Sequence, residues 1–249
     1  MRVRATVAYN GGPFHGFAVN EGVRTVGGDL TDALSRCLRQ PVELTCAGRT
    51  DTGVHARGQV VSFSAPDDVD LLAVRTAVNR MLAPAIAVRD VEAAPEEFDA
   101  RFDATSRTYH YTVLDREVPD PFLAATAWHC SRGLDVDVMN AAATAIVGEH
   151  DFSSFCRRQH TADGLEKSRV RVVFRASWHA AEQDLLRFEI EASSFCHQMV
   201  RSITGTLVDI GAGRRPPEAL AAILAAKDRS GAPNLAPPHG LCLWSVSYP

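Results

Sequence analysis

"PVELTCAGRTDTGVHARGQVVSFSA", residues 41–65, decides the fold. Its ends are apolar and its middle is polar and rich in glycine. Residues 42–47 and 58–64 read as two strands around a loop centred on Asp51. The loop sets Asp51 between Arg49 and Arg57, with Gly53 close behind. Outward from there the pattern is regular. Val3, Ala5, Val7 and Tyr9 alternate with Arg4, Thr6 and Ala8, the period of a strand. "GGPFHG" (11–16) breaks the chain. Thr25 then caps a helix over about 26–39, with Leu30, Ala33, Leu34, Cys37 and Leu38 on its inner face. Residues 69–82 form a second helix that stops before Pro84, and 86–93 a fourth strand. The order is βαββαβ, the ferredoxin-like arrangement.

The same order returns with insertions. "RTYHYTVLD" (107–115) is a strand, and Asp135 caps a helix over about 136–147. Strands follow near 169–179 and 185–191. "CHQMVRSITGTLVDIG" (196–211) is a helix with Val200, Ile203, Leu207 and Ile210 on one stripe, ended by Gly211 and Gly213. A short helix starts at Pro217, and "LCLWSVSY" (241–248) is the last strand. The expected fold is α+β: two ferredoxin-like (βαββαβ) halves with mainly antiparallel sheets and a cleft between them. Polar "EEFDARFDATS" (96–106) marks the boundary. It gives an N-terminal domain over 1–104, carrying the Asp51 loop, and a C-terminal domain over 105–249.

Composition narrows the function. The chain has 249 residues, 46% hydrophobic and 22% charged, which is ordinary for a globular protein of one or two domains. No apolar run reaches the ~18 residues a membrane helix needs. The N-terminus "MRVRATVAYN" alternates like a strand and lacks the apolar core of a signal peptide. Cys37, Cys46, Cys130, Cys156, Cys196 and Cys242 are scattered with no CxxC pair, so reduced thiols in a cytoplasmic protein are expected, without zinc. The net charge is −4, but its placement matters more than its sum. Residues 157–175 hold Arg157, Arg158, Lys167, Arg169, Arg171 and Arg175 against Asp163 and Glu166. Nearly all the positive charge of the chain is arginine, which suits bidentate phosphate contacts; biased codon usage gives the same preference.

Asp51 is the foremost chemical candidate. An arginine within hydrogen-bond reach keeps a carboxylate charged, and a charged Asp in a partly dry cleft can attack an electrophilic carbon. The plainer reading is a loop Asp paired with a surface Arg. Arg201 lies in an otherwise apolar helix, either snorkelling at its edge or serving as a buried partner for a carboxylate. His150 and Asp151 in "EHDF" look like metal ligands, but no further His or Cys at ligand spacing supports that. A structural turn anchored by Phe152 and Phe155 fits better.

"GRTDTGVHARGQVVSF" (48–63) resembles the signature of the TruA family of tRNA pseudouridine synthases. "FDARFDATSRTYHYTV" (98–113), "GEHDFSSFC" (148–156), "FCHQMVRSITGTLVDIGAG" (195–213) and "APPHGLCLWSVSYP" (236–249) resemble further blocks in the family's order. The resemblance implies that Asp51 is the catalytic aspartate and that Tyr109 packs against the target uracil. It implies that Arg201 pairs with Asp51, that Leu241 closes the apolar wall, and that Arg49 and His55 shape the loop or touch RNA. It implies a homodimer without metal or cofactor, acting on uridines 38, 39 and 40 of the tRNA anticodon stem-loop. Asn10, Phe17, Ala18 and Gly27 depart from the family's usual residues, all outside the catalytic blocks.

The chemistry agrees. Uridine becomes pseudouridine by breaking N1–C1′, turning the base and joining C5 to C1′. The change is redox-neutral, and no nicotinamide or flavin motif is visible. It needs a nucleophile or base, a flat wall to retain the freed uracil, and exclusion of water. Asp51 can attack C1′, add to C6 or take the 2′ proton. Tyr109 offers an aromatic face, and its hydroxyl can help remove the C5 proton. Two rival readings fit less well. A non-catalytic RNA-binding protein of this fold would carry sheet aromatics of the RNP type, which are missing. A glycosidic-bond hydrolase would pair two carboxylates, and the motif blocks offer one prominent candidate.

Overall fold

The computed structural model describes residues 1–159, 164–182, 184–231 and 235–249. The fold is α+β, with ten strands and five α-helices among those residues. The chain divides into two compact units, Met1–Thr105 with Cys242–Pro249, and Ser106–Leu241. No helix among the described residues is long and apolar enough to cross a membrane.

The first unit contains β1 (Arg2–Tyr9), α1 (Val26–Leu38), β2 (Thr45–Cys46), β3 (His55–Ser64), α2 (Leu71–Leu82) and β4 (Ile86–Ala94). The strand order is β4-β1-β3, with β2 beside β3, all antiparallel. This is the spatial order expected of a βαββαβ unit. Alternation works as read: Val3, Ala5, Val7 and Tyr9 are buried. On the helices, Leu30, Ala33, Leu34 and Leu38 of α1 and Val74 and Val78 of α2 are buried. Cys37, expected on the inner face of α1, is only half-buried. Thr25 caps α1, its Oγ accepting from the Gly28 N–H at 3.2 Å; such a cap is worth about 1 kcal/mol.

The central hairpin is less symmetric than its sequence suggests. β2 is two residues long, while β3 begins at His55, three residues before the expected start at 58. Pairing explains both. β2 meets only the C-terminal half of β3, with Cys46 opposite Val61. The N-terminal half is held by β1, with Tyr9 opposite Ala56, and by β10 (Leu241–Ser247), which runs parallel with Cys242 opposite His55. Residues 242–249 therefore group with the first unit, whereas the sequence reading placed them in a domain over 105–249. The Tyr248 hydroxyl donates to the Ala100 carbonyl at 2.7 Å, and its ring lies 5.2 Å from Phe98.

The second unit contains β5 (Ser106–Asp115), β6 (Trp128–Cys130), α3 (Val136–Ala143), β7 (Gly148–Asp151), β8 (Val170–Ala180), β9 (Leu185–Ala192), α4 (Met199–Gly211) and α5 (Ala219–Ala226). Its strands run β5-β9-β8-β7, antiparallel, with β6 parallel to β5. The third helix ends at Ala143, not 147, and tightens into a 3-10 turn over Thr144–Ile146. β6 and β7 are too short to show a period. After β7 comes the turn, with Phe152 and Phe155 fully buried and the Asp151 carboxylate accepting from the Ser153 N–H at 3.0 Å. The Cys156 and Cys196 side chains lie against each other, with Cα atoms 5.7 Å apart. They are 40 residues apart, and only the packing of this turn beside the start of α4 brings them together. Asp163, counted in the arginine-rich stretch, lies outside the described residues.

Candidate active site

Asp51 is half-buried at the tip of the β2–β3 connection. Its backbone is fixed from several sides. The Val54 N–H donates to the Asp51 carbonyl at 3.1 Å, and the Phe17 N–H to the Thr50 carbonyl at 3.1 Å. Beneath the loop runs the segment 11–17, with Phe14 and Phe17 buried. Gly11 passes so close that a Cβ there would sit 2.1 Å from the Val54 carbonyl oxygen. No other residue fits that approach.

Side chains brace the same loop from below. The Tyr9 hydroxyl lies 2.7 Å from Thr50 Oγ. Gln59, fully buried, donates through Nε2 to the Gly48 carbonyl at 2.6 Å and to the Tyr9 oxygen at 3.4 Å. With Gln59 donating to it, the phenol has its proton for Thr50. Burial holds the Tyr9 pKa far above its ordinary value, so the proton stays. Burial also pushes the Cys46 thiol up to about 11, against the pull of Arg49 and Arg101. Cys46 is therefore no thiolate nucleophile at neutral pH.

The other members of the signature separate by position. His55 is buried, and its Nδ1 accepts from the Gly11 N–H at 3.0 Å. The ring proton of its neutral form is thereby placed on Nε2. Arg49 is exposed. Arg57 is exposed too, with its guanidinium 4.3 Å above the Trp244 ring. The sequence set these arginines as flanking cations of Asp51; the strand that starts at His55 carries Arg57 toward Trp244 instead.

In the second unit the remaining candidates lie around one layer. Tyr109 is buried on β5, opposite Ile190, with its ring edge-on to Phe195 at 5.0 Å. Tyr111, two residues on and on the same face, donates to the Pro237 carbonyl at 2.8 Å. Arg201 on α4 is half-buried, and its Nε donates to the Ala236 carbonyl at 2.7 Å while Ala236 N–H returns to the Arg201 carbonyl at 3.2 Å. The segment from Ala236 to the buried Leu241 is thus gripped by α4 and by Tyr111. Sequence reasoning missed Tyr9, Gln59, Tyr111, Phe195 and Ala236. A buried tyrosine beside the chosen one, with the same strand parity, was the available signal for Tyr111.

Two of the departing residues adjust to each other. Phe17 packs on Tyr9 with centroids 6.1 Å apart, and its carbonyl accepts from the Gly27 N–H at 2.8 Å. A Cβ at Gly27 would lie 2.5 Å from that carbonyl oxygen. Asn10 is exposed, its side chain accepting from the Gly12 N–H at 2.9 Å.

The match to known proteins sets the class of this α+β fold: an isomerase acting on RNA. The family model for "tRNA pseudouridine synthase" matches residues 5–103 and 142–249. The chain belongs to the tRNA pseudouridine synthase family, and it converts uridine in tRNA to pseudouridine. It is similar to "tRNA pseudouridine synthase A" of Frankia casuarinae, at 43% identity over 251 residues, covering 100% of this chain and 90% of that protein. The relative from Bacillus subtilis is 39% identical over 100% of this chain and 99% of its own length. The one from Thermotoga maritima is 38% identical over 99% of both.

Proposed function

We propose that the uridines are those at positions 38, 39 and 40 of the anticodon stem-loop, and that Asp51 is the nucleophile or base. The observation that supports this most is the Asp51 loop itself. Its backbone is held by Phe17 and Val54, and the polar side chains beneath it are buried and paired. A carboxylate that must reach one atom of a displaced nucleotide gains from a loop already in place. Attack at C1′, addition at C6 and removal of the 2′ proton each suit an ionised Asp51.

The other roles follow the resemblance. Arg201 pairs with Asp51 and keeps it charged. Tyr109 retains the freed uracil by stacking while it turns, and Leu241 closes the apolar wall. His55 braces the loop through Gly11, and the exposed Arg49 contacts RNA. No metal or cofactor enters the balance, since N1–C1′ breaks, C5–C1′ forms and the C5 proton moves to solvent or to N1. The target base must leave its stack, which costs roughly a few kcal/mol; phosphate contacts by arginines offset it. The enzyme works in the cytoplasm as a homodimer, and light scattering of the purified protein tests the latter.

The decisive experiment uses unmodified tRNA labelled with tritium at C5 of uridine. Wild type should release tritium; Asp51→Asn should release none while still binding the tRNA. Release by the variant would remove Asp51 from the chemistry. Mapping the product should place pseudouridine at positions 38–40, and modification elsewhere would overturn the assignment of the stem-loop.

A further inference from the structure

The turn that opens α4 carries charge that the reaction does not use. Gln198, the N-cap residue, has a left-handed backbone at φ 69° and makes no side-chain cap hydrogen bond. Its amide oxygen instead accepts from Arg229 Nη2. Arg157 meets the same turn, its backbone N–H donating to the His197 carbonyl at 3.0 Å. The turn is thus held by the Arg229 guanidinium at Gln198 and by the Arg157 backbone at His197.

The positive charge of Arg157 is felt at Arg229. The Nη1 of Arg229 is buried and has no hydrogen-bond partner among the described residues. Burial and then the charge of Arg157 both push the Arg229 pKa down. Arg157 is exposed. Two carboxylates of these segments have partners of their own among the described residues. Glu166 pairs with Arg169 at 2.8 Å, and Asp228 accepts from the Ser230 N–H at 3.0 Å. A buried donor without a partner is rare in folded proteins and marks an unfilled requirement. An anion with several oxygens fills it best, since the guanidinium fork matches phosphate geometry.

We propose that Arg157 and Arg229, beside the turn at Gln198, form a subsite for a backbone phosphate of the tRNA substrate. The inference rests on the reading of the chain as an enzyme acting on tRNA. Phosphate is the class this substrate supplies at every nucleotide, and it needs no base identity to be recognised. These two arginines therefore position the RNA and carry no part of the isomerisation.

The test is the salt dependence of tRNA binding by the full chain, with wild type, Arg157→Gln, Arg229→Gln and Arg229→Lys. Losing one phosphate contact makes the slope of log affinity against log salt shallower by about 0.7 to 0.9. Arg157→Gln should show that change and a KM raised several-fold with kcat held. Arg229→Gln should show the same, and Arg229→Lys should recover the slope in part, because it keeps the charge and loses the fork. An unchanged slope in Arg157→Gln, whose exposed side chain supports no packing, overturns the proposal. So does a fall in kcat with KM intact. Failure of the enzyme reading looks different, as wild type would then release no tritium at any salt while the slopes could still be measured.

Discussion

The Asp51 loop and the turn at the start of α4 both present charge, and they are built in opposite ways. Around Asp51 the buried polar groups are paired: Gln59 with Gly48, Tyr9 with Thr50, His55 with Gly11. At α4 the charge of Arg157 acts on Arg229, and one buried Arg229 nitrogen has no hydrogen-bond partner among the described residues. The first arrangement is complete before any ligand arrives. The second leaves the buried Arg229 Nη1 without a hydrogen-bond partner among the described residues. If Asp51 reacts and the α4 arginines bind phosphate as proposed, a substrate held by its backbone and altered at one base is served by this contrast.

The comparison breaks most readily at Gly11. A methyl group there would meet the Val54 carbonyl at 2.1 Å, so the loop and the segment beneath it cannot both keep their places. Gly11→Ala should lower kcat/KM by two orders of magnitude or more, since small misplacements of a reacting group are that costly. Tritium release gives the measurement. If the variant keeps wild-type turnover, the braced loop is not what fixes Asp51.

Tyr9→Phe comes next. It removes the hydroxyl shared by Thr50 and Gln59 and leaves buried groups short of a partner. The expected loss is about 1–3 kcal/mol of stability, read by denaturant unfolding, with a smaller fall in kcat. A variant as stable as wild type would show that the pairing under the loop is dispensable.

These effects also mark what could be read in advance. Alternation in β1 and the apolar stripe of α1 are local periods, and both were legible. The support of the loop was not. Residues 11–16 read as a break, because their work is done by contacts with Thr50, Asp51 and Val54, some forty residues away. The two buried phenylalanines, Phe14 and Phe17, were a hint that this turn packs under something. The return of β10 to β3 was equally hidden, since a strand's period states its faces and not its partner. At α4 the excess of arginine in 157–175 was plain, whereas Arg229 joins it only through the fold.

His110 tests whether completeness extends along β5. It is buried, with Nε2 3.3 Å from a Glu189 oxygen. Burial lowers its pKa to about 4, and Glu189 opposes the shift without cancelling it. The neutral ring therefore persists in the folded protein while an unfolded chain takes up a proton near pH 6.5. Stability should fall as pH drops from about 6.5 toward 4, by at most about 1.4 kcal/mol per unit for this one group, and less after solvent screening. The effect near pH 5.5 is on the order of 1 kcal/mol. His110→Asn should flatten that part of the profile in thermal unfolding. An unchanged slope would mean that His110 protonates in place with Glu189 as its partner.

The smallest effect carries the opposite sign and sharpens the contrast most. Removing a charge from a paired group weakens a fold, but removing one of two cations that act on each other relieves repulsion. Arg157→Gln should therefore unfold no more easily than wild type, with a change within about 0.5 kcal/mol, and any shift should be toward greater stability at low salt. Raising the salt should erase the difference, because screening does for wild type what the substitution does outright. The same variant should bind tRNA less well. Stability held or gained while affinity falls is the signature of a residue kept for its ligand. A clear loss of stability would instead place Arg157 among the structural contacts and make the turn at α4 no different from the loop at Asp51.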